Sequence, residues 1–245
     1  MPTDPLSQAL TGARVLLFDF DGPLCDVFAG LPALQVASEL TRLLSAEDQA
    51  AGAKAMGTTD PIEVLSIAHE ADAALGQKIE QALTAAEVRA VEVAGAPTPG
   101  SVAALLAAKE SNRGIAVVSN NSAQCVRAFL DRHELGGYVA EIVGRPSEQP
   151  HLMKPNPYPL IHAAELMHVD VSVCALIGDS VTDIQAARAA GVTVIGYANK
   201  FNKAETFASL GCAPLRRARF PALAAPALLP SARSALPPPT RARSG

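Results

Sequence analysis

Val15, Leu16, Leu17 and Phe18 form an unbroken apolar run that ends on Asp19 and Asp21, with Gly22 directly after. So short a run, closed by a turn residue, reads as a strand buried on both faces of a parallel sheet that delivers two carboxylates at its carboxyl end. Gly22 tolerates positive φ, so the backbone can turn sharply there and keep both carboxylates beside one cavity. After Asp21 the period changes. Residues 27–95 are alanine-rich, with helical spacing of apolar positions over 33–44, 47–56, 61–75 and 77–93, and no strand signal interrupts them. Asp60 before Pro61 reads as an N-cap followed by proline at the first helical position. Met56, Leu65, Ile67 and Leu75 are the expected core of this block. Roughly 70 residues between one strand and the next exceed any ordinary connection, so the block is expected to be an inserted small domain.

From Pro97 onward strands alternate with helices. A helix is predicted over 101–108, a strand over 115–118 ending at Ser119, and a helix capped by Ser122 running through 130. A short strand near 139–143, a polar loop through Lys154, a helix over 157–167 and a strand over 173–177 ending in Gly178-Asp179 follow, then a last helix and a strand at 192–195. Such alternation specifies a doubly wound parallel α/β sheet covered on both faces. The expected division is a core of residues 1–25 and 96–212, a helical cap of 26–95, and a tail of 213–245. In open α/β sheets the ligand crevice lies beyond the carboxyl ends of the strands. Asp19 with Asp21, Ser119 with Asn120, and Asp179 with Ser180 and Asp183 should therefore converge. Paired carboxylates repel, and a magnesium ion relieves the repulsion by taking hard oxygen ligands from them and from substrate phosphate.

Composition narrows the function classes. The 245 residues are 49% hydrophobic and 18% charged, with net charge −4 and no tryptophan, so neither the basic footprint nor the stacking platforms of a nucleic-acid binder are present. Cys25, Cys125, Cys174 and Cys212 have no metal-like spacing and read as reduced thiols, so a cytoplasmic location is expected. The segment before Val15 lacks a signal-peptide core and no apolar run reaches membrane-spanning length. Proline, alanine and arginine dominate 213–245 without an acidic residue, so a disordered or loosely bound tail is expected. The pattern specifies no oligomeric state.

Four motifs, Asp19-Phe20-Asp21-Gly22, Val117-Val118-Ser119-Asn120, Lys154-Pro155 and Gly178-Asp179-Ser180-Val181-Thr182-Asp183, occur in the order found in the haloacid dehalogenase superfamily. Over about residues 14–212 the chain resembles phosphatase-like members of that family with a helical cap, of the phosphoglycolate phosphatase and beta-phosphoglucomutase kind. The resemblance implies a magnesium-dependent phosphohydrolase. In it Asp19 is the nucleophile, forming an aspartyl-phosphate, and Asp21 is the general acid and base. It also implies that magnesium is held by the Asp19 carboxylate, the Asp21 backbone carbonyl and the Asp179 carboxylate, with Asp183 orienting the metal's waters or adding a ligand. Ser119, the amide of Asn120 and Lys154 would receive the phosphoryl oxygens.

Other residues carry less. His69, His162 and His168 read as surface or core residues of helices, His151 as a residue near the entrance, and Lys54 as an exposed helix charge. Thr58 and Thr59 fall where capped relatives place a loop that dips toward the site. Pro23 stands where many phosphatases carry threonine and Asn156 where an acidic or small residue is frequent; neither removes a catalytic group. A dehalogenase would lack the second aspartate of the first motif, a phosphomutase would use the same residues, and a non-catalytic protein would be expected to miss at least one. A cap of this size favours a small phosphorylated metabolite such as phosphoglycolate, a sugar phosphate or a nucleoside monophosphate.

Overall fold

The computed structural model of the chain describes residues 4–200 and 203–216. Six parallel strands make one sheet: β1 Val15–Phe18, β2 Gly114–Val118, β3 Glu141–Val143, β4 Cys174–Gly178, β5 Thr193–Ala198 and β6 Ala213–Arg216, in the order β3-β2-β1-β4-β5-β6. Phe18 is in register with Val117 on one side and Ile177 on the other, so β1 is central. Successive side chains of a strand point to opposite faces. Leu16 and Phe18 accordingly pack with Phe20, Phe129 and Tyr197, whereas Val15 and Leu17 pack with Leu160, Leu176 and Ala187. Both layers are apolar, which is why β1 reads as a continuous run rather than an alternation. The chain winds from β1 through β2 to β3, then crosses to β4, β5 and β6 on the other side. This reversal opens a crevice at the carboxyl ends of β1, β2 and β4.

Five helices lie between β1 and β2; besides α6 Ser101–Glu110, which packs into the core under the sheet, four share their own apolar core: α2 Ala33–Glu47, α3 Gln49–Ala55, α4 Pro61–Ala71 and α5 Ala73–Val93. Each of the last three starts on an aspartate, Asp48, Asp60 or Asp72, whose carboxylate accepts from first-turn amides. The break before α5 falls at Asp72 rather than at 76, because Asp72 accepts from Ala74 and Leu75 while Gly76 continues the helix against the His69 ring. Leu65 is fully buried and Ile67 and Leu75 partly so. Met56, expected in this core, is 75% exposed because it terminates α3 in an extended conformation and its side chain leaves the bundle. The far end of α5 differs from its start: Ala90 and Val91 join the core under the sheet. That helix therefore belongs to both layers.

Two further helices were not expected. α1 Pro5–Leu10 buries Leu6 and Leu10, and α10 Lys203–Ser209 buries Ala204 and Phe207. The expected tail also begins too early, because Ala213–Arg216 pairs in parallel with β5 and Leu215 is fully buried. A four-residue edge strand containing proline carries no readable alternation, and an edge is where a sheet accepts proline. Residues 217–245, the rest of the expected tail, lie outside the described residues. No helix is long and apolar enough to cross a membrane among the described residues.

Candidate active site

The three strand ends meet. Asp19 leaves β1 with its backbone N–H donating to the Ile177 carbonyl of β4 at 2.9 Å, while Ser119 leaves β2 with its N–H on the Val143 carbonyl of β3 at 2.9 Å. Gly22 turns at φ +101°, and a Cβ there would lie 2.5 Å from the Asp179 carboxyl carbon. Only glycine lets the loop after β1 approach the loop after β4 this closely. Cys25 and Leu24 amides close that turn on the Phe20 carbonyl, and Thr98 Oγ1 donates to the Gly22 carbonyl at 2.9 Å.

Lys154 is the centre of the charge arrangement. Its ammonium, almost wholly buried, lies 2.8 Å from Asp19 Oδ1 and 2.6 Å from Asp183 Oδ1, and donates to the Val118 carbonyl at 3.1 Å. All three of its donors are thereby satisfied. Burial alone would lower its pKa, but the two carboxylates outweigh that and raise it, so the lysine is cationic. Asn120 fixes the segment that presents it: its side-chain amide donates to the Lys154 carbonyl and its Oδ1 accepts from the Lys154 N–H, both at 2.9 Å. Asp183 is fully buried in the first turn of α9 Val181–Ala190. Its Oδ2 accepts from the Asp179 and Ser180 amides and the Ser180 hydroxyl, a capping box built from an acid. Burial opposes its charge, yet Lys154 and these donors hold its carboxyl below the usual range.

Asp19 behaves oppositely. Burial, then the nearby Asp183 charge, push its carboxyl well above the usual range against the pull of Lys154. Asp21 is pushed up to about 6, chiefly by burial and against a hydrogen bond from the Val27 amide, with Asp179 and Asp26 adding to the rise. A carboxyl whose folded value exceeds its unfolded value of about 3.9 binds its proton more tightly in the native state. Its contribution to stability is therefore present at low pH and is lost as pH rises from about 4 through about 6. Asp21→Asn removes this loss: without divalent metal, the variant's melting temperature should gain on wild type across that window and stay higher above it. A difference that is flat from acid to neutral pH would show that burial does not perturb Asp21.

A carboxylate oxygen from each of Asp19, Asp179 and Asp183 lies within 4.8 Å of the others. Asp179 is steadied by neighbours the sequence did not point to. Lys203 donates to its Oδ2 at 2.5 Å and its carbonyl at 2.7 Å, and Asn199 to Oδ2 at 2.9 Å. Ser119 is buried, its hydroxyl accepting from the Asn121 N–H at 3.0 Å and facing Asn121 Oδ1 at 3.2 Å. Asn121 in turn donates to Glu87 of α5, and Arg145, with a fully buried side chain, bridges Glu80, Glu87 and the Asn120 carbonyl. In sequence Arg145 and Glu87 look like solvated charges, and only their burial reveals them as support for the loop after β2.

These groups line a chamber of about 330 Å³. Asp19, Asp21, Ser119, Asn120, Lys154 and Asp179 form its floor, and Phe28, Ala33 and residues 59–62 form its roof. Thr59 thus reaches the chamber, whereas Thr58 bonds Glu63 of α4 and is not among the lining residues. His151 is exposed in a single helical turn away from the lining, His162 stacks on Tyr158, and Lys54 is exposed near the end of α3. Asn156 accepts from the Tyr158 amide at 2.9 Å and so starts α8 Tyr158–Leu166. All four cysteines are free and buried, and burial raises their thiols, Cys174 to about 11.

Known proteins resemble the chain in sequence and in fold. Residues 13–191 match the family described as haloacid dehalogenase-like hydrolase. A phosphoglycolate phosphatase of Neisseria meningitidis serogroup A is 29% identical over 78% of this chain and 83% of its own length. Among solved structures, CbbY from Rhodobacter sphaeroides in complex with phosphate superposes with a TM-score of 0.60 at 20% identity, covering 86% of this chain and 96% of that one. A beta-phosphoglucomutase from Clostridium difficile gives 0.57 at 17% identity, covering 83% and 90%. At these identities the two structures speak for the fold alone.

Proposed function

Because the chain belongs to the haloacid dehalogenase-like hydrolase family, we propose that it is a magnesium-dependent phosphatase of small phosphoric monoesters, working through a phosphoryl group carried on Asp19. The observation that carries the reading is the placement of Asp19: a buried carboxylate at the end of the central strand, 2.8 Å from a buried lysine and facing the chamber. The name of the Neisseria meningitidis relative supports a phosphomonoester as the substrate class.

The donor set suits magnesium. Three carboxylates offer hard oxygens within 4.8 Å of one another, with no sulfur or imidazole among them. Asp19, the Asp21 carbonyl and Asp179 would hold the ion, and Asp183, whose two oxygens already accept from protein donors, fits the orienting role better than that of a full ligand. Bound there, the ion supplies positive charge that keeps Asp19 ionised and screens the phosphoryl oxygens.

The chain's own groups do the rest. An Asp19 oxygen attacks phosphorus in line, an O–P bond forms to the carboxylate, and the bond to the leaving alcohol breaks. Asp21 gives its proton to the departing alkoxide; a carboxyl raised to about 6 retains that proton near neutrality better than an ordinary aspartate. The ionised Asp21 then takes a proton from water as the water oxygen attacks phosphorus, releasing inorganic phosphate and restoring Asp19. Lys154, held on Asp19 and Asp183, would add positive charge beside the transferring group, and the Ser119 and Asn120 loop, fixed by its own hydrogen bonds, would offer donors there.

Phosphate release from p-nitrophenyl phosphate and a panel of metabolite monoesters tests this. Release is expected with magnesium and should fall to background in excess chelator, returning when magnesium is restored. A folded, magnesium-replete protein that releases phosphate from none of them would sink the reading.

A further inference from the structure

We propose that the preferred substrate is the monoester of an uncharged, hydroxylated alcohol, such as a polyol or sugar, and not a phosphorylated carboxylic acid. This deepens the phosphatase reading and rests on it. It stands on the charges around the chamber rather than on the floor that handles phosphate.

The roof is the part that meets the leaving alcohol. Phe28, Ala33, Pro61 and Ile62 make it apolar, and its polar groups are Thr59 and Asp60. Asp60 is exposed, and its Oδ1 already accepts from the Ile62 amide at 2.9 Å, which holds the carboxylate at the head of α4. Among the described lining residues Lys154 is the one cation, and its three donors are occupied by Asp19, Asp183 and the Val118 carbonyl. The neighbouring cations are equally engaged. Arg145 is buried behind Asn120 between Glu80 and Glu87, and Lys203 is held on Asp179. Lys200 lines a separate chamber of about 290 Å³ on the other side of Asp21 and Asp179.

A carboxylate on the leaving alcohol would therefore enter beneath Asp60 with no unengaged positive group among the described lining residues to receive it. Like charges at close range in a partly desolvated cleft repel strongly, and an anion moved from water without a partner also loses its hydration. Hydroxyl groups face neither penalty. They can donate to Asp60 and exchange hydrogen bonds with Thr59, while carbon-bound hydrogens lie against Phe28 and Ile62.

The test compares kcat/KM for glycerol 3-phosphate and sugar monophosphates with that for phosphoglycolate at low ionic strength, with p-nitrophenyl phosphate as the measure of the basic chemistry. The neutral alcohols should be favoured by at least about tenfold, the scale expected for one uncompensated like-charge contact. Asp60→Asn keeps an N-capping side chain and removes the charge, so it should narrow that ratio several-fold by raising kcat/KM for phosphoglycolate. Phosphoglycolate used as well as the best neutral ester overturns the proposal. So does a ratio unmoved by Asp60→Asn, or turnover of p-nitrophenyl phosphate with neither class of ester accepted. Failure to cleave even p-nitrophenyl phosphate overturns the phosphatase reading itself, and this proposal with it.

Discussion

Asp19→Asn is expected to reduce phosphate release by about 10³-fold or more while the protein stays folded. The amide is nearly the same shape but is a poor nucleophile, so the step that forms the O–P bond is lost rather than weakened. The fold should survive because Lys154 keeps Asp183 and the Val118 carbonyl as acceptors, and because the carboxylate removed is one that burial disfavours. Asp19→Glu separates charge from position. It keeps the carboxylate but displaces it by a methylene, and a misplacement of about 1 Å costs about 10²-fold in rate. Thermal melts beside phosphate-release assays distinguish lost chemistry from lost structure. Full activity in Asp19→Asn would remove Asp19 from the mechanism.

Arg145→Met should have the largest effect on stability. The guanidinium side chain is fully buried, lies 2.7 Å from Glu80 and 2.8 Å from Glu87, and donates to the Asn120 carbonyl at 2.8 Å. Removing it leaves two buried carboxylates without a counter-charge, a change that costs about 3–5 kcal/mol. At about 2–4 °C per kcal/mol for a protein of this size, the melting temperature should fall by roughly 10 °C. Adding Glu80→Gln and Glu87→Gln should recover much of that loss, since the penalty lies in the orphaned charges more than in the missing pair. A melt unchanged by Arg145→Met would mean that the network is not closed in solution. Because Glu87 also holds the Asn121 side chain and the Ser122 amide, the single variant should lower kcat even at temperatures where it is folded.

What the sequence revealed and what it hid divide along physical lines. The run Val15–Phe18 was legible because both faces of a central strand are apolar, and the parallel sheet followed from alternation over the residues after Pro97. Convergence of Asp19, Ser119 and Asp179 was legible because strand order places carboxyl ends together, whatever their separation in the chain, whereas Lys154, in a loop, was pointed to only by the family resemblance. β6 was hidden, since four edge residues including Pro214 carry no period, and α10 was hidden with it. Met56 misled because apolar character alone cannot distinguish the last core residue of a helix from the first residue beyond it. Arg145, Glu80 and Glu87 were hidden for a different reason. A charge buried by a partner 58 or 65 residues away looks the same in sequence as one facing water. The roof of the chamber was likewise readable only as a loop, and its acidity emerges once Asp60 is placed over the floor.

In this mechanism the phosphoryl group passes through Asp19. Rapid acid quench of the enzyme mixed with a radiolabelled phosphomonoester and magnesium tests it most directly, followed by peptide mapping of the protein-bound label. Label is expected on the peptide containing Asp19, appearing before free phosphate, decaying as phosphate is released, and absent from Asp19→Asn. Phosphate released at full rate with no label ever bound to the protein, or label on another residue, would contradict it.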